Sequence, residues 1–187
     1  MLALAVPGAV MAQPVPIVNA GFESNAIADG AFFALLPTGW QVYDPSGIVN
    51  QGDNAVGVIR PTLPQTFFPG GAPQGEQAAI VYLAGPVSAP AGLMQTLTAT
   101  LQPNTTYTLS VDVGNIGSGT SLAGSSGGGG VVYALDGFPG YRIELRAGGT
   151  LLASDSSSAG PIPEGQWRGA SLSFDSSSTP ALVGQAL

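Results

Sequence analysis

Short stretches of alternating apolar and polar residues, separated by turn-forming residues, recur along this chain and restrict the folds open to it. Within residues 106–113, for example, Tyr107, Leu109 and Val111 occupy alternate positions. This period is typical of a strand with one buried face, because successive side chains of a strand point to opposite sides. Similar patterns predict strands at residues 39–43, 54–59, 77–83, 93–98, 141–145, 150–154, 168–174 and 181–187. We therefore expect an all-β sandwich of roughly ten short strands in two antiparallel sheets.

Composition supports a folded domain and argues against two classes of partner. The chain has 187 residues, of which 44% are hydrophobic and only 8% are charged, so it can bury a core. Its formal net charge is −7, and its four positive charges are all arginines. Because phosphate groups are bound mainly by Lys and Arg, we expect neither nucleic acid nor an anionic membrane surface as a partner.

The first twelve residues resemble part of a secretory signal peptide. They are apolar and uncharged, and Val10 and Ala12 stand at the −3 and −1 positions before Gln13. We expect residues 1–12 to be an incomplete signal peptide and residues 13–187 to be one β-sandwich domain, secreted or at a bacterial cell surface. No later stretch has the length of a membrane span.

The residue types that are missing limit the chemistry. Without His, Cys or Lys, the chain cannot build an ordinary Ser-His or Cys-His pair, a thiolate or imidazole zinc site, or a Schiff base. The glycine-rich segment at residues 114–130 also lacks the lysine of a phosphate-binding P-loop, so we interpret it as a surface loop. We predict a protein that is not an enzyme. Paired carboxylates among the eleven acidic residues leave a glycosidase as a further alternative.

Three segments in order resemble a known fold family. They are residues 17–23 (IVNAGFE), residues 37–40 (PTGW) and residues 101–114 (LQPNTTYTLSVDVG). The set is similar to the galactose-binding-like jelly roll of carbohydrate-binding modules. Together with residues 140–145 (GYRIEL) and 182–187 (LVGQAL), it resembles modules of bacterial exosortase-sorted (PEP-CTERM) surface proteins. Such modules close with a further strand and a sorting tail, so the resemblance implies a jelly roll that lacks its closing C-terminal strand.

The resemblance also implies a structural calcium ion at Glu23. In related jelly rolls the acidic residue of this motif helps to hold calcium, which prefers hard oxygen ligands. The alternative is that Glu23 accepts backbone hydrogen bonds or is solvated.

Aromatic residues are the candidates for ligand binding, because sugar rings stack on flat apolar side chains. Our candidates are Tyr43, Trp167 and Trp40. Trp167 is out of phase with Ala170, Leu172 and Phe174, so either a bulge at Gly169 turns it inward, which we favour, or its ring is partly exposed. Phe67 and Phe68, which precede the turn residues Pro69-Gly70-Gly71, are loop aromatics that either reach a ligand or cap the sandwich.

These observations favour a noncatalytic extracellular module with a structural, adhesive or matrix role. The alternative is a carbohydrate-binding module that recognises a polysaccharide through exposed aromatics. The expected partners are polysaccharides or matrix components.

Overall fold

The chain is built from antiparallel strands. A computed structural model describes residues 12–49, 51–61, 67–84 and 89–187, which form strands and two 3₁₀ turns but no α-helix. The strands are β1 (Phe32–Phe33), β2 (Gln41–Tyr43), β3 (Ala55–Ile59), β4 (Ala78–Tyr82), β5 (Gly92–Met94), β6 (Thr106–Asn115), β7 (Gly119–Thr120), β8 (Val132–Tyr133), β9 (Ile143–Ala147), β10 (Thr150–Asp155) and β11 (Gln166–Asp175). Their ladders are a three-stranded sheet in the order β1-β3-β4 and the pairs β2-β5, β6-β11, β7-β8 and β9-β10. The predicted all-β sandwich of jelly-roll type is confirmed.

The longest ladder joins β6 and β11. It runs without a register shift from Thr106 opposite Asp175 to Asn115 opposite Gln166. The hairpin of β9 and β10 packs beside β11. Its two-residue turn, Gly148 and Gly149, has φ values of +54° and +82°, a combination that glycine adopts without steric cost and that matches the twist of a hairpin.

Two apolar clusters form the core. One contains Ile59, Phe67, Phe68 and Ala78, all at most 6% exposed, at the β1-β3-β4 sheet. The other is built on the buried Leu101, Ala147 and Leu187, with side chains from β6, β9, β10 and β11 packed against it.

The C-terminal segment differs from the sequence expectation. We predicted a strand at residues 181–187, but Pro180–Leu182 is a 3₁₀ turn that begins with a proline. After this turn Ala186 forms an isolated antiparallel bridge with Thr100, and the buried Leu187 closes the second cluster. The apolar residues there serve the core without continuous strand pairing.

The glycine-rich segment begins inside β6 and contains β7. Its remainder, residues 121–130, runs beside β1, where Ser126 N donates to Phe32 O at 2.8 Å and Ala34 N donates to Ser126 Oγ at 3.1 Å. These hydrogen bonds hold the segment along the outer edge of β1.

Two sequence expectations concern the N-terminus and the membrane. Residues 1–11 of the predicted signal peptide lie outside the described residues, so the division at residue 12 and the predicted export stay predictions. Within the described part of the chain, no helix is long and apolar enough to cross a bilayer.

Candidate functional site

Five aromatic side chains converge around the first apolar cluster. These are Phe32 on β1, Phe67, Phe68, Tyr133 on β8 and Trp167 on β11, which we call the aromatic cluster. The Phe32 ring meets the Tyr133 ring edge-on, with centroids 5.3 Å apart and an interplanar angle of 88°. Phe67 lies 6.1 Å from Phe32 and 6.3 Å from Tyr133. Phe67 and Phe68 are buried, whereas the rings of Phe32, Tyr133 and Trp167 are partly exposed. We call these three partly exposed rings the rim of the cluster.

Trp167 enters this cluster without a bulge. The β6-β11 register is regular through Gly169, so the bulge that we favoured is wrong and Trp167 lies on the face opposite to Ala170. Its indole stacks on Phe68 at 4.1 Å, with 22° between the planes, and its Nε1 donates to Gly71 O at 3.0 Å. The cross-strand partner is Gly114, where a Cβ would lie 2.6 Å from the indole and 2.8 Å from Phe68. A glycine opposite Trp167 therefore makes room for the stacked rings.

A polar cleft adjoins the aromatic cluster at one end of the β1-β3-β4 sheet. It is open to solvent, has a volume of about 420 Å³ and is lined by residues 70–72 and 75–76 together with Asp29, Arg60 and Pro61. Arg60 Nε lies 2.9 Å from Asp29 Oδ1, and its Nη2 lies 2.6 Å from Glu76 Oε2. Because Gly71 both lines the cleft and accepts the Trp167 hydrogen bond, the cleft and the cluster share a wall. Two carboxylates against one guanidinium give the cleft a net charge of −1.

The Glu23 carboxylate holds two segments of the chain together by accepting backbone hydrogen bonds. Its Oε1 accepts hydrogen bonds from Glu76 N at 2.8 Å and Gln77 N at 2.9 Å, which ties Glu23 to the two residues that precede β4. Among the described residues there is no group of three or more acidic side chains able to hold a metal ion. Calcium takes six to eight oxygen ligands, so the side chains around Glu23 do not form a calcium site by themselves.

Trp40 and Tyr43 lie away from the aromatic cluster. Trp40 is partly buried, packs on Phe22 with ring centroids 5.2 Å apart and donates from Nε1 to Asn19 O at 3.1 Å. Tyr43 lies on β2 beneath Arg146, whose Cζ is 5.8 Å from the ring centroid. The structure therefore brings Trp167 into the aromatic cluster, while the other two ligand-binding candidates support local packing.

Arg146 also belongs to a charged group on β9. Glu144 lies between Arg142 and Arg146, accepts from Arg146 Nε at 2.6 Å and has a side chain only 14% exposed. Burial raises the pKa of Glu144, but the hydrogen bond and charge of Arg146, with help from Arg142, outweigh it and leave the pKa below the ordinary 4.5. This group lies outside the aromatic cluster, and we assign it to stability.

Sequence reasoning missed Phe32, Tyr133 and the Arg60 cleft. Phe32 and Tyr133 sit on two-residue strands, which are too short to show a period. The charged residues of the cleft, Asp29, Arg60 and Glu76, are 16 to 47 positions apart, and single acidic residues are solvated by default. A sequence signal that could have indicated this site is the pair of phenylalanines at residues 32–33 and the second pair at residues 67–68.

The fold and the site define a class: a β-sandwich with a partly exposed aromatic cluster beside a polar cleft. A family model described as HpiC1-like, HpiC1 cyclase, matches residues 13–187. The chain belongs to the HpiC1-like cyclase family.

Solved structures of related proteins agree with this assignment. The Stig cyclase Fisc from Fischerella sp. TAU, in complex with (3Z)-3-(1-methyl-2-pyrrolidinylidene)-3H-indole, is 38% identical, with a TM-score of 0.78 over 92% of this chain and 83% of that chain. A cyclase from the same source, in complex with 4-(1H-indol-3-yl)butan-2-one, is 37% identical, with a TM-score of 0.81 over 94% and 85% of the two chains. An apo cyclase from Fischerella sp. is 39% identical, with a TM-score of 0.78 over 92% and 82%. No curated protein matches the chain.

These findings correct several predictions. The assignment to PEP-CTERM modules is wrong, and so are the noncatalytic structural, adhesive or matrix role, the carbohydrate-binding and glycosidase alternatives, and the prediction that the chain is not an enzyme. The polysaccharide and matrix partners are wrong as well, since the structural relatives hold indole compounds. The resemblance misled because its residues are structural: Asn19 and Trp40, for example, tie a turn together and carry no chemistry of the site.

Proposed function

We propose that this chain closes a ring on an indole-bearing small molecule held against the rim of the aromatic cluster. The observation that carries the proposal is the convergence of five aromatic rings beside a cleft with a net charge of −1. Indole is flat and electron-rich, so it stacks well on aromatic side chains. Membership of a cyclase family and the indole ligands of two related structures support the same substrate class.

The cleft suits the charge that develops during such a ring closure. Addition of a proton to a double bond of the side chain makes an electrophilic carbon, and attack of the indole ring on that carbon forms the new C–C bond and places positive charge on the indole. Loss of a proton to solvent then gives a neutral isomer of the starting compound. Aromatic faces stabilise nearby cations, and so do carboxylates that are already in place. Asp29 and Glu76 line the cleft, and each pairs with Arg60 while its side chain stays 67% exposed.

Binding of an indole ligand tests the proposed site. We expect 4-(1H-indol-3-yl)butan-2-one to bind the purified chain in isothermal titration calorimetry. Trp167→Leu should weaken binding about tenfold or more, because base or ligand stacking on an aromatic side chain contributes on the order of 1–3 kcal/mol. Arg168→Gln is the matched control, since Arg168 is the exposed next residue of β11 and points to the other face. Absence of binding to the unmodified chain, or equal binding by both variants, would contradict the proposal.

Turnover is tested separately. An indole that carries an unsaturated side chain should be converted to an isomer of unchanged mass, detected by chromatography and proton NMR. Conversion is expected to fall in Trp167→Leu and to persist in Arg168→Gln.

We also propose that calcium binds at Glu23, with backbone carbonyls and water as its further ligands, because the side chains described around it do not complete a calcium site. Glu23→Gln keeps an oxygen to accept the two backbone hydrogen bonds but removes the charge. Calcium chloride, compared with EDTA, should therefore raise the unfolding temperature of the unmodified chain and not that of the variant. An equal response of the two proteins would contradict calcium binding at this residue.

A further inference from the structure

Tyr133 differs from the other members of the aromatic cluster in its polar atom. It lies on β8, where it pairs with Gly119, and its ring packs between Phe32 and Phe67. The three phenylalanines have no polar side-chain atom, and the indole N–H of Trp167 is already donated to Gly71 O.

The Tyr133 hydroxyl has no hydrogen-bond partner among the described residues. Two of the five tyrosines do have partners: Tyr141 donates to Asp155 Oδ2 at 2.8 Å, and the Tyr107 hydroxyl accepts from Gln102 N at 2.7 Å. Tyr43 and Tyr82 resemble Tyr133 in showing no hydroxyl partner among the described residues, but they lie outside the aromatic cluster. A Cβ at Gly127 would lie 3.3 Å from the Tyr133 hydroxyl, so the backbone of the glycine-rich segment passes close to it. The hydroxyl is therefore a polar group in an otherwise apolar cluster, and it lies next to the backbone of a glycine.

We propose that Tyr133 determines ligand specificity by donating a hydrogen bond to an acceptor atom on the side chain of the bound indole. This inference rests on the proposed function and adds the class of ligand: an indole whose substituent carries a carbonyl or imine acceptor. A site with a single uncommitted donor prefers such a ligand over its hydrocarbon analogue, because the analogue leaves the hydroxyl desolvated and unpaired.

A two-ligand, two-protein cycle tests the inference. The ligands are 4-(1H-indol-3-yl)butan-2-one and 3-butyl-1H-indole, which has the same carbon chain without the ketone oxygen. We expect the unmodified chain to bind the ketone about three- to tenfold more tightly than the hydrocarbon, the size of effect expected for one neutral hydrogen bond. Tyr133→Phe should lose this preference and keep its affinity for 3-butyl-1H-indole, which also shows that the variant is folded.

Tyr82→Phe is the matched control. It removes a tyrosine hydroxyl from β4 outside the aromatic cluster and should keep the preference for the ketone. A preference that survives in Tyr133→Phe, or an equal loss of affinity for both ligands, would overturn the assigned role and leave the proposed function standing. Failure of the unmodified chain to bind either indole would overturn the proposed function, and this inference with it.

Discussion

At the scale of single residues, the site depends on a missing side chain as well as on the aromatic side chains. Trp167 can lie flat on Phe68 only because its cross-strand neighbour is Gly114. The sequence contains both residues, but the spacing of more than fifty positions between them hides their contact. Periodicity therefore predicted the strands on which they stand and not the stack that they form.

Replacing Gly114 tests this arrangement. Gly114→Ala should lower the free energy of unfolding by about 1–3 kcal/mol, since overpacking forces rings or backbone to shift. Chemical denaturation measures the loss, and a blue or red shift of tryptophan fluorescence reports the moved indole. Gly169→Ala is the control. Gly169 lies on β11, on the same face as Trp167, and the nearest atom to an added Cβ there is Asp112 Oδ1 at 3.9 Å. Equal destabilisation by the two substitutions would contradict the close contact at Gly114.

At the scale of strands, the sequence predicts long elements well and short ones poorly. The predicted strands at residues 54–59, 106–113 and 150–154 correspond to β3, β6 and β10, each of which has five or more residues. The two-residue strands β1, β7 and β8 were not predicted, because two residues show no period. Since β1 carries Phe32 and β8 carries Tyr133, the part of the candidate site that escaped prediction is the part that lies on these strands.

The position of β1 depends on close approach to β3. A Cβ at Gly57 would lie 1.9 Å from Phe33 O, a backbone atom that cannot rotate away. Gly57→Ala should therefore separate β1 from β3, lower the free energy of unfolding by about 1–3 kcal/mol and weaken indole binding through displacement of Phe32. Gly92→Ala on β5 is the control, because an added Cβ there meets no atom within 4 Å. Thermal unfolding and calorimetry measure the two effects, and a neutral Gly57→Ala would contradict the packing of β1.

At the scale of the whole molecule, the sequence predicted the architecture and misled about the function. Strand periodicity and turn residues report the scaffold, which many unrelated functions share. The residues that carried the resemblance to surface modules form turns, most of β6 and the start of β9, which belong to this scaffold. The chemistry of the site comes from residues distant in sequence that the scaffold brings together: Arg60, Glu76, Tyr133 and Trp167.

The response of stability to pH follows from three carboxylates. Desolvation raises the pKa of Asp155, but hydrogen bonds from Ser158, Tyr141 and Ser157 outweigh it. Hydrogen bonds from Ser177 lower the pKa of Asp175. Both pKa values therefore lie below the ordinary 3.8. The pKa of Glu144 is also lowered. A lowered pKa in the folded state gives stability that is present above the ordinary pKa and is lost as the pH falls through the folded-state value. We expect the unfolding temperature to fall as the pH drops below about 4.5.

Glu144→Gln isolates the contribution of the carboxylate that pairs with Arg142 and Arg146. At neutral pH it should lower the unfolding temperature, because it removes the charge that pairs with both arginines, and it should flatten the decline below the ordinary Glu pKa. Asp53→Asn, at an exposed position, should keep the profile of the unmodified chain. Calorimetric scans from pH 3 to 7 make the comparison, and an unchanged profile in Glu144→Gln would contradict the assignment.

The central claim is that the aromatic cluster is where this family member holds its indole ligand. A crystal structure of the chain grown with 4-(1H-indol-3-yl)butan-2-one tests it most directly. We predict density for the indole ring against Phe32, Tyr133 and Trp167, with the side chain directed toward the Arg60 cleft. Ordered ligand bound elsewhere on the chain, with the cluster unchanged, would contradict the account.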